Sequence, residues 1–205
     1  MRKHPQKIIS DNVMIKVIEP GNLNLEQQPP NTPIQPMLKK ETVDRKIPSW
    51  IVYYLDIAEA VAQRSSCLRR QVGCVVVKDK QVLATGYNGA PCGRRSCIDW
   101  GFCYRDKKNI ASGTEIEKCL SIGSHAEINS ITHAAKHGIA VKGADMFLVG
   151  HWFVCEMCKS AIINAGIDKV YMRNPDNRII TVIEVSSWGR HSLEADNPDL
   201  YKCNC

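Results

Sequence analysis

Residues 125–172 read HAEINSITHAAKHGIAVKGADMFLVGHWFVCEMCKSAIINAGIDKVYM, and this stretch decides the fold. It predicts helices over residues 125–137 and 155–165, and strands over residues 145–149 and 169–172. Strands that alternate with helices are typical of a mainly parallel sheet whose faces are covered by helices. The fold class predicted from this stretch is therefore α/β.

Upstream of this stretch, the sequence predicts one more helix and a β-hairpin. Residues 48–63 begin with Pro-Ser, which suits a helix start, and continue with apolar residues at close to helical spacing. The β-branched runs 72–77 and 82–85 are separated by four polar residues, which indicates a hairpin. A long loop rich in Gly, Cys and Arg then extends to about residue 124, and residues 179–185 fit one further strand.

The composition is that of a soluble globular protein. A chain of 205 residues allows one domain with tails, and 44% hydrophobic residues exclude a wholly disordered chain. No apolar run approaches the roughly 20 residues of a membrane-spanning helix, and no apolar signal core follows the first charged residues, so we expect a cytoplasmic protein. In a reducing compartment, ten cysteines favour metal binding or catalysis over disulfides.

The distribution of proline indicates the domain boundaries. Six of the ten prolines fall within residues 20–48, where little apolar material could be buried. We predict an N-terminal arm or linker over residues 1–47, a core domain over residues 48–173 and a C-terminal extension over residues 174–205. Alternatively, residues 13–18 of the arm add an edge strand to a partner subunit.

A zinc site is predicted by His125-Ala126-Glu127 together with Cys155-x-x-Cys158, which begins 28 positions after Glu127. One imidazole and two thiolates are three good zinc ligands, and they leave a fourth position open for water, as in catalytic sites. Zinc lowers the pKa of a bound water to about 7, and Glu127 stands close enough to move the proton. A CxxC motif alone is more often a structural zinc site or a redox pair, and a lone histidine on an amphipathic helix is usually packed or solvated, but the combination predicts a zinc hydrolase.

These motifs resemble those of the zinc-dependent cytidine and deoxycytidylate deaminase superfamily, in which H-x-E is followed by P-C-x-x-C. The similarity to the deoxycytidylate (dCMP) deaminase branch covers roughly residues 50–172 and includes the segments 64–73, 84–91 and 161–167. It implies a three-layer α/β/α fold with a mixed, mainly parallel central sheet. It also implies hydrolytic deamination of a cytosine nucleotide, with dCMP converted to dUMP and ammonia as the leading candidate.

The resemblance also implies roles for individual residues. The imidazole and the two thiolates named above would hold the zinc, and Glu127 would shuttle the proton. The turn at residues 86–89 would bring Asn88 to the sugar hydroxyl, and an Asn between glycines can form a tight turn that presents its amide to a ligand. The predicted substrate contacts are Asn88, Gly89, Ala126, Trp152 and Arg64.

Trp152 and the arginines have alternative interpretations. Trp152 either stacks on a base or packs in the core. Arg64 is a candidate phosphate ligand because a guanidinium matches phosphate with a fork of donors, although most surface arginines are simply solvated. The same holds for Arg69, Arg70, Arg94 and Arg95.

Four further cysteines, Cys67, Cys97, Cys103 and Cys119, lie in or beside the long loop. In similar dCMP deaminases, the positions of Cys67, Cys97 and Cys119 contribute to a second, structural zinc. A closed site with Cys103 as the fourth ligand would tie down the loop, with an apparent binding free energy of about 10 kcal/mol coupled to folding. Alternatively, these are buried or spare thiols. No role is assigned to Cys92, Cys203 and Cys205.

The chain departs from the family pattern beside the predicted zinc ligands. Val154 replaces the proline before the first cysteine, and His151 stands where relatives usually carry threonine. These changes alter the shape and donor set of the pocket, so the substrate remains open, and the loss of proline should loosen the backbone before Cys155. In the long loop, Ser96 replaces a histidine, whereas Asp99 keeps an acidic residue of the pattern.

The predicted partners are a small cytosine nucleotide and further copies of the chain. By resemblance, the protein is a homo-oligomer, with a hexamer as one arrangement, and deoxynucleoside triphosphates are effectors. Another cytosine nucleotide or nucleoside derivative is an alternative substrate. A nucleic-acid editing deaminase is a rival function, and it would need a basic channel on the core domain. The core has little excess positive charge, because residues 48–172 carry 15 − 11 = +4 while the arm carries +3. A non-catalytic zinc or nucleotide-binding protein is a second rival, against which the intact His-x-Glu argues.

Overall fold

The computed structural model describes residues 46–111, 114–119 and 124–188, together with two short strands near the N-terminus. These strands, β1 (Ile8–Ser10) and β2 (Val13–Ile15), pair with each other in antiparallel orientation. Apart from these strands and residues 46–47, the predicted Pro-rich arm lies outside the described residues. So does the end of the chain, with Cys203 and Cys205.

The chain divides into two units, Met1–Lys46 and Ile47–Cys205, and the second contains a five-stranded sheet. Its strands are β3 (Gly73–Lys78), β4 (Gln81–Tyr87), β5 (Asp145–Val149), β6 (Lys169–Arg173) and β7 (Ile180–Glu184). They lie in the order β4-β3-β5-β6-β7 across the sheet. These strands confirm the predicted hairpin (β3 and β4), the two strands predicted within residues 125–172 (β5 and β6) and the further strand predicted after them (β7).

The α/β class and the mixed sheet are confirmed, but the prediction that the sheet is mainly parallel is wrong. Among the described strands of this sheet, β5 and β6 form the one parallel pair. Strand β3 is antiparallel to both β4 and β5, and β7 is antiparallel to β6. The strands joined through helices, β4, β5 and β6, do run in one direction. However, β3 lies between β4 and β5 as the hairpin partner of β4 and separates two strands that could have paired in parallel.

The hairpin between β3 and β4 turns over two residues with left-handed backbone. Asp79 has a φ of 50° and Lys80 a φ of 63°. Positive φ at both central positions is typical of a type I′ turn, whose twist matches that of the flanking strands. The four polar residues predicted as the connection therefore include the ends of both strands.

Helix α1 (Trp50–Ala62) covers one face of the sheet. Ser49 caps it by accepting a hydrogen bond from the backbone N–H of Val52 at 3.3 Å, which confirms the predicted start. Leu55 is fully buried in a cluster that also contains Phe147 of β5. Burial of one such side chain stabilises the fold by about 2 kcal/mol.

Helices α4 (Ala126–Lys136) and α5 (Glu156–Ala165) cover the opposite face. Side chains alternate across a strand, so Met146 and Leu148 of β5 point to these helices while their neighbours along the strand face α1. The three layers implied by the resemblance are therefore present. None of the helices within the described ranges is long and apolar enough to cross a membrane.

The long loop between β4 and α4 contains more regular structure than the sequence predicted. It includes the one-turn helices α2 (Cys97–Trp100) and α3 (Tyr104–Lys107) and a 3₁₀ turn at Ile116–Lys118. Ser96 and Asp99 form a capping box at the start of α2, with the Ser96 hydroxyl and the Asp99 carboxylate each bonded to the other's backbone N–H. The spacing Ser-x-x-Asp was the local signal for this helix.

Close contact between β4 and α4 depends on Gly86. A Cβ atom at this position would collide with the backbone oxygen of Ala126 and the backbone nitrogen of Ser130. Both are backbone atoms of α4 and cannot move aside as a flexible side chain would. The absence of a side chain at residue 86 therefore sets the distance between the sheet and the helix that follows His125.

We expect Gly86→Ala to lower the free energy of unfolding by about 3 kcal/mol, because the added methyl group forces α4 away from the sheet. Gly138→Ala is a matched control, since Gly138 has a φ of 67° and nothing within 4 Å of an added Cβ. Gly138→Ala should lower the free energy of unfolding by only about 1 kcal/mol, because a side chain is disfavoured in left-handed backbone. Urea unfolding measures both changes, and equal losses would contradict the close-contact explanation.

Candidate metal centre

The three predicted zinc ligands lie at the starts of two helices on the same face of the sheet. His125 is the N-cap residue of α4, Cys155 is the N-cap residue of α5, and Cys158 lies in the first turn of α5. Neither N-cap side chain forms a hydrogen bond that caps its own helix. Both are therefore available to another group, at helix ends whose dipole stabilises thiolates.

The distances between the three side chains fit a zinc ion. Nδ1 of His125 lies 3.4 Å from Sγ of Cys155 and 3.5 Å from Sγ of Cys158. Zinc bonds of about 2.0 Å to nitrogen and 2.3 Å to sulfur, in tetrahedral geometry, place such atoms about 3.5 to 3.8 Å apart. All three donor atoms lie within 4.8 Å of one another, and no other group of His, Cys, Asp or Glu among the described residues meets this criterion.

The protonation of the two thiols also fits a metal site. The pKa of Cys155 is lowered to about 4, first because the Cys158 thiol donates to its sulfur and also because His125 does so. The pKa of Cys158 is raised, because it donates to Cys155 and because it is buried. The hydrogen bond to Cys155 raises the pKa of His125. The protons shared by these groups are those that a divalent cation displaces on binding.

Glu127 is buried beside these ligands. It is only 5% exposed, it lies in the first turn of α4, and burial raises the pKa of its carboxyl. The charge of a bound cation would act in the opposite direction. A carboxyl held this close to the ligands is placed to accept a proton and release it again, which suits the predicted proton transfer.

A cavity opens over the metal centre. Its walls include His125, Cys155 and Glu127, and also Asn88 and Ala126 of the predicted substrate contacts. The other three predicted contacts, Gly89, Trp152 and Arg64, do not line it. Arg64 is exposed, and Gly89 is buried with its N–H bonded to the carbonyl of Ser124.

Asn88 fixes the turn that borders the cavity. Its Oδ1 accepts hydrogen bonds from the Ser65 hydroxyl at 2.6 Å and from the Val72 N–H at 2.9 Å, and its Nδ2 donates to the carbonyl of Arg70 at 3.0 Å. Three of the four hydrogen bonds that an amide can make are therefore used within the protein. One Nδ2 hydrogen remains for the sugar contact that the resemblance implies.

Arginines give the cavity a positive wall. Arg69, Arg70 and Arg105 all line it. Arg69 pairs with Asp106 at 2.9 Å. Arg105 is only 8% exposed and donates to the carbonyls of Ala111 and Thr114, and it has no carboxylate partner in the described part of the chain. Nη1 of Arg69 and Nε of Arg105 are buried without a hydrogen-bond acceptor, so the wall can accept an anion.

The four remaining loop cysteines line the same cavity. The pKa of Cys97 is raised to about 11, first by burial and then by the neighbouring thiols of Cys67, Cys103 and Cys119. The four thiols are thus close enough to interact, although no three of their sulfur atoms all lie within 4.8 Å of one another, as the donor atoms of His125, Cys155 and Cys158 do. The second zinc site remains a prediction.

The segment between β5 and α5 places a histidine at the cavity and a tryptophan outside it. His151 and Phe153 line the cavity, whereas Trp152 is 44% exposed, so the alternative that Trp152 fills the core does not hold. The Trp152 ring instead stacks on His151, with centroids 5.0 Å apart, and carries the Arg70 guanidinium 4.4 Å above it. Its contact with a base remains a prediction. Val154, in place of proline, is buried in the core beside α4 and α5.

Sequence reasoning missed Arg105 and assigned no contact to His151. Arg105 follows Cys103 by two residues in a loop without hydrophobic periodicity, so no local pattern could place it in the cavity wall. His151 was expected to alter the shape and donor set of the pocket, but no contact was assigned to it. Its position four residues before Cys155 was a further signal, because residues that lead directly into a metal ligand lie close to the metal.

Comparison with known proteins identifies related sequences. Residues 48–174 match the family described as the cytidine and deoxycytidylate deaminase zinc-binding region. The chain is 37% identical over 123 residues to the deoxycytidylate deaminase of Schizosaccharomyces pombe, which covers 60% of this chain and 36% of that protein. It is 36% identical over 128 residues to the deoxycytidylate deaminase of Mycobacterium phage D29, which covers 60% of this chain and 93% of that protein.

Structures of similar proteins are also known. The dCMP deaminase of cyanophage S-TIM5, in complex with dCMP and dUMP, is 30% identical and superposes with a TM-score of 0.47 over 63% of this chain and 85% of that chain. The chain spans about a third of the length of the yeast relative but nearly all of the phage D29 relative. Because the family match covers more than half of its residues, this chain belongs to the cytidine and deoxycytidylate deaminase family and carries its zinc-binding region.

Proposed function

We propose that this protein catalyses the hydrolytic deamination of a cytosine nucleotide, with dCMP converted to dUMP and ammonia. The observation that carries the proposal is the grouping of His125, Cys155 and Cys158 within 4.8 Å, next to the buried carboxyl of Glu127. A purely structural zinc site has no use for that carboxyl. The deoxycytidylate deaminases among its relatives support dCMP as the substrate.

The chain's own residues supply the proton transfers. The imidazole of His125 and the two thiolates would hold the zinc, which when bound would supply a Lewis acid able to activate water near neutral pH. Glu127 accepts one proton of the attacking water and delivers it to the ring nitrogen next to the amino-bearing carbon. It then moves the second proton to the amino group. The oxygen of water becomes the new carbonyl oxygen, and ammonia leaves.

The positive wall supports a nucleotide that carries phosphate. Arg105 is a buried charge without a carboxylate partner among the described residues, and its Nε lacks an acceptor. A buried cation is costly unless an anion compensates it. A substrate phosphate would supply both the charge and the acceptor atoms, with Arg69 and Arg70 in the same wall.

The remaining expectations belong to the same proposal. The four loop thiols would hold a structural zinc, and the protein would be a homo-oligomer that responds to deoxynucleoside triphosphates. We also expect the protein to be cytoplasmic, a compartment whose reducing conditions keep thiols available for metal binding. The boundary between a core domain over residues 48–173 and a C-terminal extension over residues 174–205 also remains a proposal. Strand β7 lies in that extension and pairs with β6 of the core domain.

The zinc-loaded protein should release ammonia from dCMP, and Glu127→Gln should reduce turnover at least about a hundredfold while zinc is retained, because the amide cannot shuttle a proton. Glu156→Gln is the matched control, since that carboxylate lies in the first turn of α5 with its side chain 84% exposed. A colorimetric ammonia assay and metal analysis provide the two readouts. The proposal would be refuted if the zinc-loaded wild-type protein released no ammonia from any cytosine mononucleotide. Deamination of cytosine in oligonucleotides would instead favour a nucleic-acid editing deaminase.

Metal analysis should give two zinc ions per wild-type chain. Cys158→Ser should lose one zinc ion and all turnover, because it removes a ligand at the reacting centre. Cys97→Ser should also lose one zinc ion but keep the metal bound by His125 and its two cysteines. Cys92→Ser, at an exposed thiol, is the control that should keep both ions. A single zinc ion in wild type and in Cys97→Ser would contradict the structural site.

Arg105→Met should lower kcat/KM for dCMP about ten- to hundredfold, the usual effect of losing hydrogen bonds to a charged group. The value for deoxycytidine, which has no phosphate, should change much less. Lys108→Met removes an exposed positive charge three residues along the same loop and should leave both values unchanged. Equal losses with both substrates would indicate that Arg105 only supports the loop.

A further inference from the structure

We propose that His151 is a substrate-contact residue whose Nε2–H donates a hydrogen bond to an acceptor atom of the pyrimidine base. The inference rests on the proposed function, because it places a pyrimidine in the cavity that His151 lines. It goes beyond that function by naming a contact at a position where the family usually carries threonine.

The hydrogen bonds of the imidazole determine which nitrogen carries the proton. Nδ1 of His151 lies 3.2 Å from the backbone nitrogen of Trp152 and 3.4 Å from that of Phe153. A backbone N–H can only donate, so Nδ1 must be the acceptor, and the proton of the neutral ring is on Nε2. The hydrogen bonds of His151 to the described residues all involve Nδ1, which leaves the Nε2–H for a ligand in the cavity that His151 lines.

Aromatic neighbours fix the plane of the imidazole before any ligand binds. The Trp152 ring stacks on it with an interplanar angle of 28°, and the Phe153 ring meets it edge-on at 4.1 Å and 86°. Arg70 in turn lies 4.4 Å over the Trp152 ring, which holds the tryptophan in place. A donor whose orientation is already fixed loses little conformational entropy on binding, so its hydrogen bond contributes more to affinity.

The electrostatic surroundings favour a base over a phosphate as the acceptor. Burial lowers the pKa of His151, and the positive charge of Arg70 lowers it further. An Nδ1 that accepts hydrogen bonds belongs to a neutral ring, and His151 lines the cavity together with the metal ligands His125 and Cys155, where the reacting ring must be placed. The carbonyl oxygen and ring nitrogen of cytosine are neutral acceptors suited to such a donor.

Two substitutions distinguish a role of His151 in contacting the substrate through Nε2 from a role in stabilising the loop through Nδ1. His151→Asn keeps an acceptor for the two backbone N–H groups, because Oδ1 can replace Nδ1, but its amide nitrogen stops short of the Nε2 position. His151→Gln reaches that position with its own Nε2 but leaves the two backbone N–H groups without their acceptor. Steady-state kinetics with dCMP and deoxycytidine, thermal unfolding and calorimetric binding of dUMP are measured for both variants and for wild type.

We expect His151→Asn to unfold at the wild-type temperature, to raise KM and to lower kcat/KM about five- to tenfold for dCMP and deoxycytidine alike, as for one lost neutral hydrogen bond. It should weaken dUMP binding by a similar factor, whether or not the protein turns over dCMP. His151→Gln should unfold earlier but keep more of the kcat/KM.

Three results would overturn the proposal. Wild-type kinetics and dUMP affinity in His151→Asn would show that Nε2–H makes no contact. A lower kcat/KM in His151→Gln than in His151→Asn would assign His151 to the loop alone. A loss confined to dCMP would assign the contact to the phosphate. By contrast, weakened dUMP binding in His151→Asn, in a protein that releases no ammonia, would refute the proposed reaction and still support this contact.

Discussion

The meeting of two helix N-termini is the constraint on which the rest of the site depends. His125 and Cys155 occupy N-cap positions, where the backbone is extended and a side chain can point away from its own helix. Because α4 and α5 pack on the same face of the sheet, these two side chains approach within 3.4 Å although 30 residues separate them. The close contact of Gly86 with α4 sets where the first of these helix ends lies. Metal binding thus depends on backbone packing some distance from the metal.

The cavity over this centre has two electrostatic parts. At one end are the thiols, the imidazole and the buried carboxyl of Glu127, where protons are shared and can be moved. In the wall lie Arg69, Arg70 and Arg105, and the last has no carboxylate partner within the described ranges. A molecule that is neutral at its reacting end and anionic at the other complements both parts. A cytosine mononucleotide has this distribution of charge.

The parts of the structure that local sequence determines were predictable. The start of α1 at its Ser49 cap and the ends of α4 and α5 follow from residues within a few positions of one another. The metal ligands were predictable because zinc chemistry restricts both their type and their spacing. The order of strands was not, because the insertion of β3 between β4 and β5 depends on pairing between residues about 70 positions apart. Arg105 was missed for the same reason, since only tertiary contacts place its loop in the cavity wall.

The segment before Cys155 shows how a departure from the family pattern can be compatible with the same metal centre. Without the family's proline, the backbone before Cys155 should be looser, but two contacts restrain it. Val154 is buried at 5% exposure in the core beside α5, and His151 accepts hydrogen bonds from the next two backbone N–H groups. Burial and a side-chain cap therefore restrain the chain where a proline ring would restrict φ. An imidazole that accepts through Nδ1 carries its proton on Nε2, so the residue that restrains this turn also brings a neutral donor to the cavity wall.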